Sequence, residues 1–271
     1  MAIRLLSVDV DGTITNGRNQ VTQATADALR RAAAAGVIVT LNTGRNLCES
    51  QMVLDRVPEI RYLMGCTGAF LMDVQQHERL SNHTLDIVTA RQVNAIFRKY
   101  DTLIGIFYDD LVCNQADEIG QFTRFYPAEM KSVFDTHTVV PSLTATLAAR
   151  EDGVDKFYVV FADAAAQQAA LREIEPLPVF VTSAGFIDME VMAQDANKGA
   201  ILLELAERLN IRPEEILAIG DSENDVAMLQ TAGVGVAMGN ATEPAKAAAD
   251  YITDDVDHDG IMNALKHFNV L

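Results

Sequence analysis

The feature that most constrains this chain is a pair of aspartates, Asp9 and Asp11, directly after a short apolar run at residues 3–8. The run predicts a buried strand. Side chains alternate along an extended chain, so carboxylates two residues apart point the same way, and Gly12 then lets the chain turn sharply. Paired acids at the carboxyl end of a strand favour a hard cation and an attack on phosphorus. The alternative for this pattern alone is a strand that ends in an acidic turn.

Length, composition and charge limit the class of protein. The chain has 271 residues, 49% of them hydrophobic, which suits one large domain or two small ones. Its net charge of −17 argues against nucleic acid or an anionic membrane as a partner. The mostly apolar stretch 32–41 is too short to span a membrane, and early acids interrupt any signal peptide. The three cysteines form no CxxC pair, so we expect a cytoplasmic protein; its oligomeric state is not predicted.

Apolar segments that lead into polar signatures recur along the chain. The apolar run 37–41 is typical of a parallel strand covered on both faces, and it leads into residues 43–45. The run 216–219 leads into Asp221 in the same way. Ligands of open α/β sheets bind beyond the carboxyl ends of the strands, so one site can collect these signatures together with Asp9. We therefore predict an α/β fold with an open, parallel, Rossmann-like sheet.

The middle of the chain, residues 82–188, has a different character. Strands and helices come in mixed order there, with no apolar strand that ends in an acid, which indicates an inserted α+β module. Residues 1–81 and 189–271 then form the catalytic core. Within the insert we predict helices at 86–100, 117–125, 142–150 and 164–173 and strands at 103–108, 136–140, 156–161, 179–182 and 186–191.

Two distant carboxylates, Asp9 and Asp221, with a backbone carbonyl near Asp11, would make a suitable Mg²⁺ site. Mg²⁺ prefers oxygen ligands and keeps several waters, one of which a phosphate can replace. Asp225 could support these ligands from outside. The alternative for the acids at 221–225 is a charged helix start, because acids there favour the helix dipole.

Two further residues suit phosphate oxygens. Thr43 offers a hydroxyl and backbone N–H groups at a helix start; the alternative is a simple N-cap for the helix from Asn46. Lys198 opens the predicted helix 198–209, where a cation opposes the dipole. That position hints at phosphate binding and at easing the approach of an anion to Asp9, although an ordinary solvated lysine is the alternative.

Taken together, these segments resemble the four motifs of the haloacid dehalogenase superfamily, and the tail 235–241 is similar to that of its Cof-type branch. That branch carries a large α/β cap (C2B type) between the second and third motifs, the position of the insert 82–188. The segments that carry the resemblance are Asp-Val-Asp-Gly-Thr at 9–13, Thr-Gly-Arg at 43–45, Asp-Ala-Asn-Lys-Gly-Ala at 195–200 and Gly-Asp-Ser-Glu-Asn-Asp-Val-Ala-Met-Leu at 220–229.

The resemblance implies a Mg²⁺-dependent phosphatase of small phosphomonoesters, such as sugar phosphates or a phosphorylated cofactor. It implies that Asp9 attacks phosphorus to give a phosphoaspartate, and that Asp11 protonates the leaving oxygen and then deprotonates water. Cof-type proteins usually have Asn where this chain has Thr67, which leaves substrate contacts near that loop open. By the same resemblance, Asp9, the Asp11 carbonyl and Asp221 hold Mg²⁺ with Asp225 behind them, while Thr43, Gly44, Arg45, Lys198 and Asn224 bind phosphate or substrate.

Three other functions stay open at this point. A phosphomutase of the same superfamily would move phosphate rather than release it. A signalling domain would accept phosphate on aspartate and turn over slowly, although Asp11 argues against that. A sugar-phosphate sensor would hydrolyse every ester poorly. The physiological substrate is not predicted, and four polar residues of the insert are possible contacts that are more typical of a surface: Arg91, Arg98, Arg124 and Tyr126.

Overall fold

The computed structural model describes residues 2–126, 134–183 and 187–271. They form two compact units. The first combines the chain up to Asn82 with Asn197–Leu271, and the second is His83–Ala196. The second unit therefore runs beyond the boundary placed at residue 188, because the strand Asp188–Ala193 pairs with two strands of that unit.

An eight-stranded sheet forms the first unit. Its strands are β1 Leu5–Val8, β2 Ile38–Asn42, β3 Tyr62–Gly65, β4 Phe70–Asp73, β5 Glu78–Asn82, β12 Ile216–Gly220, β13 Val234–Ala237 and β14 Tyr251–Ile252. They lie in the order β14-β13-β12-β1-β2-β3-β4-β5. Pairing is parallel from β14 to β3 and antiparallel for β4 and β5. The helices are α1 Gln23–Ala34, α2 Leu47–Arg56, α7 Lys198–Arg208, α8 Val226–Thr231, α9 Glu243–Ala248 and α10 Gly260–His267.

Local sequence explains the central elements of this sheet. Every residue of β1 and β12 is buried, as continuous apolar runs require when both faces of a parallel sheet are covered. Helix α1 begins after Thr22, whose hydroxyl accepts from the N–H of Thr25. The predicted open parallel α/β fold is confirmed. The hairpin β4–β5 was not predicted, and it adds an antiparallel edge.

A six-stranded sheet forms the second unit. Its strands are β6 Thr102–Tyr108, β7 Leu111–Gln115, β8 Thr138–Val140, β9 Lys156–Phe161, β10 Val179–Thr182 and β11 Asp188–Ala193. The helices are α3 Ile87–Phe97, α4 Ala116–Ile119, α5 Leu143–Ala149 and α6 Ala164–Ile174. The strand order is β10-β11-β9-β6-β7-β8. Helices α3, α5 and α6 pack on one face through alternate residues of β6 and β9, such as Ile104, Ile106, Phe157 and Val159.

The helix predicted at 117–125 is wrong. In its place the chain forms the single helical turn α4 and a 3₁₀ turn at Phe122–Arg124, and the strand β7 just before them was not predicted. Asp109 and Asp110 join β6 to β7 with φ of 51° and 60°, the left-handed pair that a tight hairpin needs. Asp-Asp is a weaker hairpin signal than Asn-Gly, which is why the sequence pattern missed it. The strand predicted from residue 186 begins outside the described residues and is observed as β11.

No helix within the described ranges is both long and apolar enough to cross a membrane.

Candidate active site

The polar signatures follow three neighbouring strands of the first sheet. Strand β1 lies between β12 and β2, and all three run parallel. Asp9 follows β1, Thr43 follows β2 and Asp221 follows β12. Because parallel strands end at the same edge, the topology gathers these residues at one place.

An acidic cluster surrounds one buried lysine at this edge. Ligand atoms of Asp9, Asp221 and Asp225 lie within 4.8 Å of one another. The Nζ of Lys198 lies 2.6 Å from Oδ1 of Asp9 and 2.6 Å from Oδ1 of Asp225, and the lysine is fully buried. Three carboxylates and one ammonium leave an excess of negative charge, which a divalent cation can neutralise.

Both carboxylate oxygens of Asp225 accept hydrogen bonds from protein donors. Its Oδ1 accepts from Lys198. Its Oδ2 accepts from the backbone N–H groups of Asp221 at 2.9 Å and Ser222 at 3.0 Å. Both oxygens are therefore engaged by protein donors, and a metal ion would find its carboxylate ligands in Asp9 and Asp221.

Burial controls the electrostatics of the cluster. Burial raises the pKa of Asp9 well above its ordinary value, against the opposing charge of Lys198. Burial and the nearby charge of Asp225 raise the pKa of Asp221 to about 7. Burial alone would lower the pKa of Lys198, but the charges of Asp225 and Asp9 outweigh it and hold the pKa above its ordinary value. Lys198 therefore stays charged. The carboxylates of Asp9 and Asp221 have too little positive charge near them to offset the effect of burial.

Thr13 and Asn240 position Asp221, although sequence analysis gave neither residue a role. The hydroxyl of Thr13 donates to Oδ1 of Asp221 at 3.0 Å. Nδ2 of Asn240 donates to the carbonyl of Gly12 at 2.8 Å and to Oδ2 of Asp221 at 3.5 Å. Gly12 has φ of +80°, and a Cβ there would lie 2.3 Å from Oδ2 of Asp221. Only glycine fits this turn. Thr13 and Asn240 both lie in quoted motif segments, so their position in the motif was the available signal.

Asp11 and Arg45 form an ion pair with two hydrogen bonds. The Nε of Arg45 lies 2.9 Å from Oδ2 of Asp11, and its Nη2 lies 2.6 Å from Oδ1. Further hydrogen bonds run from Arg45 to the side chain of Asn19 and the carbonyl of Glu49. Burial opposes the charge of Arg45, but the hydrogen bond and charge of Asp11 hold its pKa above the ordinary value. Arg45, expected on substrate, thus engages the expected acid/base, whose side chain is 65% exposed.

The loop after β2 holds Thr43 and Gly44 against the end of the sheet. Thr43 is fully buried, its N–H donates to the carbonyl of Met64 at 2.9 Å, and its hydroxyl accepts from the N–H of Arg45 at 3.2 Å. The N-cap of α2 is Asn46, which forms a capping box with Glu49. Thr43 is therefore not the cap of that helix, and the alternative role considered for it does not apply.

Lys198 is the first residue of α7. The side chain of Asn197 caps this helix by accepting from the N–H groups of Gly199 and Ala200. Nδ2 of Asn42, at the end of β2, donates to the carbonyl of Lys198 at 2.8 Å. The solvated alternative for Lys198 is excluded by its burial. Asn224 lies beside the cluster, where its side-chain oxygen accepts from the hydroxyl of Ser222 at 2.8 Å.

Comparison with known proteins identifies the family of this chain. A family model described as haloacid dehalogenase-like hydrolase matches residues 6–265. The chain belongs to this family. The match covers all of the site residues above, and the predicted superfamily is confirmed.

Similar proteins match along their whole length. A 5-amino-6-(5-phospho-D-ribitylamino)uracil phosphatase of Bacillus subtilis is 28% identical, over 98% of this chain and 96% of its own. A phosphoglycolate phosphatase of Methanobrevibacter smithii is 29% identical, over 99% of each chain. Among solved structures, a haloacid dehalogenase-like hydrolase of B. subtilis superposes with a TM-score of 0.86 at 26% identity, over 98% of this chain and 99% of its own.

Proposed function

We propose that this protein is a Mg²⁺-dependent phosphatase that hydrolyses small phosphomonoesters through a phosphoaspartate on Asp9. The observation that carries the proposal is the buried contact of Lys198 with Asp9 and Asp225, beside the carboxylate of Asp221. Similar proteins along the full chain are named phosphatases, which supports the reaction class.

The residues present fit a magnesium ion. The donors are carboxylate oxygens, Asp9 and Asp221, with the backbone carbonyl of Asp11 as a third candidate, and oxygen ligands are those Mg²⁺ prefers. The turn at Gly12 and the hydroxyl of Thr13 hold Asp221 in place for this task. When bound, the ion would neutralise phosphate charge and orient the ester beside Asp9.

Asp9 is the proposed nucleophile. One oxygen, Oδ1, is held by Lys198 at 2.6 Å, which fixes the carboxylate and leaves its other oxygen for phosphorus. The Asp9 oxygen forms a bond to phosphorus while the bond from phosphorus to the leaving oxygen breaks. The same ammonium offsets negative charge as a phosphate approaches an acidic site, where a unit charge at 4 Å is worth about 4 kcal/mol at an effective dielectric of 20.

Asp11 is the proposed acid and base. It gives its proton to the leaving oxygen and later takes a proton from the water that attacks the phosphoaspartate. Both of its oxygens accept from Arg45 in this structure. A carboxylate engaged in this way must change partners before it can protonate a substrate, so we place that exchange before the chemical step.

Phosphate oxygens would contact Lys198, Thr43, Asn224 and the N–H groups around Gly44. All belong to the first unit, at the ends of β2 and β12 and the start of α7. Positioned donors of this kind supply most of the barrier reduction in phosphoryl transfer. Arg45 would meet the substrate only after it leaves Asp11.

The second unit is the proposed cap, which selects the organic part of the substrate. It interrupts the catalytic set along the chain, since Asp9 and Thr43 precede it and Lys198 and Asp221 follow it. The names of similar proteins cover a ribitylamino-uracil phosphate and phosphoglycolate. The two compounds have a phosphomonoester group in common but differ in their organic parts. We therefore propose a small phosphorylated metabolite as the substrate and do not name a particular one.

A screen of phosphomonoesters with Mg²⁺, read as free phosphate, tests the proposal. We expect phosphate release to stop when EDTA is added and to return when Mg²⁺ is supplied. With Ca²⁺ in place of Mg²⁺, we expect it to return only poorly. Ca²⁺ is larger and accepts bidentate carboxylates, so it would occupy the Asp9 oxygen that must attack. Full activity in Ca²⁺ alone would contradict this site.

The same screen separates the alternatives. A phosphomutase would need a bisphosphate activator and return little free phosphate. A sensor would show kcat/KM far below the usual range of about 10⁴–10⁸ M⁻¹s⁻¹ on every ester. A slow signalling domain would accumulate phosphoaspartate from acetyl phosphate without steady phosphate release.

A further inference from the structure

Three consecutive residues after β3 adopt left-handed backbones. Cys66, Thr67 and Gly68 have φ of 50°, 58° and 99°, and all three are buried. A β-branched residue such as threonine is a genuine outlier in this region. A strained conformation persists only where its surroundings hold it, so the contacts of this turn indicate what the strain serves.

One side of the turn holds the loop after β2. The N–H of Thr67 donates to the carbonyl of Thr43 at 2.9 Å, and the N–H of Cys66 donates to the carbonyl of Arg45 at 3.0 Å. Two adjacent N–H groups therefore bind the first and last residues of the segment 43–45. The turn fixes the backbone that carries the Thr43 hydroxyl.

The other side of the turn holds the start of α7. A Cβ on Gly68 would lie 2.6 Å from the carbonyl oxygen of Asn197, so backbone meets backbone there with no room for a side chain. Asn197 caps α7, and Lys198 comes next in the chain. From β2, Asn42 donates to the carbonyl of Lys198 at 2.8 Å. Gly68 and Asn42 thus hold the helix start from two directions.

We propose that the turn Cys66–Gly68 is a positioning element that sets the Thr43 hydroxyl and the Lys198 ammonium at the spacing a phosphate group requires. The inference rests on the proposed function, since both residues matter here as phosphate ligands. Thr67 and Gly68 act through Thr43 and Lys198. The strain in the turn is retained because a relaxed turn would separate two parts of the site that come from distant segments of the chain.

Gly68→Ala tests the proposal, with Gly36→Ala as its matched control. Gly36 has φ of +90°, and a Cβ added there would have nothing within 4 Å. Both variants force alanine into a left-handed backbone, but only Gly68→Ala meets Asn197. With p-nitrophenyl phosphate and Mg²⁺, we expect Gly68→Ala to lower kcat/KM by about 10²-fold, because misplacement by about 1 Å has that effect. The inhibition constant for inorganic phosphate should rise with it.

Gly36→Ala should keep both constants near the wild-type values, although it loses thermal stability through the left-handed strain that the two variants share. Equal kinetics in the two alanine variants would overturn the proposal. If Gly68→Ala does not fold, Asn42→Ala loosens the same helix start without a collision, and we expect it to weaken phosphate inhibition in the same direction. Unchanged inhibition in Asn42→Ala would then overturn it.

Thr67→Asn separates turn geometry from the threonine hydroxyl. Asparagine tolerates the left-handed region, so this variant should keep the wild-type phosphate inhibition constant. A loss as large as that of Gly68→Ala would instead assign the effect to the hydroxyl and refute a positioning role.

A wild-type protein without phosphatase activity would refute the proposed function alone. Crystal structures of the two alanine variants then decide the inference: Lys198 should lose its contacts with Asp9 and Asp225 in Gly68→Ala and keep them in Gly36→Ala. Retained contacts in Gly68→Ala would overturn it.

Discussion

The ammonium of Lys198 lies 2.6 Å from a carboxylate oxygen of Asp9, and the two residues are 189 positions apart in the chain. The contact joins the residue directly after β1 to the first residue of α7, the first helix after the inserted unit. Both side chains are also buried. A buried ion pair is stabilising only if additional hydrogen bonds engage both charged groups. Asp225 supplies the second partner that Lys198 needs.

We predict that Lys198→Met lowers kcat/KM for p-nitrophenyl phosphate by about 10²–10³-fold, the usual effect of removing one electrostatic contact to the transition state. The variant should also lose stability, because breaking a buried ion pair costs about 3–5 kcal/mol. Steady-state kinetics and thermal unfolding measure the two effects.

Lys156→Met is the matched control for stability. Lys156 is also buried and lies 2.7 Å from Glu190, within the second unit. We expect it to lower the unfolding temperature without the loss of turnover on this small ester. If both variants lost activity equally, instability rather than charge would explain the result for Lys198.

The sequence predicted this core well because its signals are local. Continuous apolar runs indicated β1, β2 and β12, and their polar endings indicated where the site lies. The pairing of Asp11 with Arg45 could not be predicted, since it depends on how the loop after β2 approaches the loop after β1. Strand β7 was missed for another reason. Its turn, Asp109-Asp110, needs two left-handed residues, and the sequence gives only a weak signal for that.

The pKa of Asp221 gives a prediction for metal binding. Its folded-state value of about 7 lies above the ordinary value of 3.8, so the folded apoprotein holds this proton more tightly than the unfolded chain. That contribution to apoprotein stability is present at low pH and is lost as the pH rises through about 7. A bound cation requires the ionised carboxylate.

We therefore expect Mg²⁺ to bind about tenfold more weakly at pH 6 than at pH 8, because protons compete for Asp221 below its pKa. Isothermal titration calorimetry at the two pH values measures this difference. Asp221→Asn should bind Mg²⁺ weakly at both. Equal affinity of the wild type at pH 6 and pH 8 would contradict proton competition at Asp221.

Substitution of Asp9 and substitution of Asp11 should lower turnover by different amounts. Asp9→Asn should abolish turnover, since the amide cannot attack phosphorus. Asp11→Asn should lower turnover by about 10²–10⁴-fold, the usual range for a general acid or base, because Asp9 stays able to attack. With acetyl phosphate, Asp11→Asn should accumulate a phosphoenzyme that mass spectrometry detects. Wild-type activity in Asp9→Asn would mean that water attacks directly.

The inserted unit gives the last prediction, since all eight strands of the first sheet lie outside His83–Ala196. Each end of the insert joins a residue at the boundary of a regular element of the first unit. Asn82 ends β5, which pairs with β4, and Asn197 caps α7. Replacing residues 83–196 with a short flexible linker should therefore leave the core folded, with cooperative thermal unfolding as the check.

The shortened protein should still bind Mg²⁺ and react with acetyl phosphate, because the proposed catalytic residues all remain. Its discrimination among phosphomonoesters should fall sharply, since binding energy from the organic part of the substrate would no longer lower the barrier. The measurement is the ratio of kcat/KM values across the ester panel, for the intact and the shortened protein. An unchanged ranking would place specificity in the first unit, and Arg45 and the turn at Thr67 would then be the residues to vary.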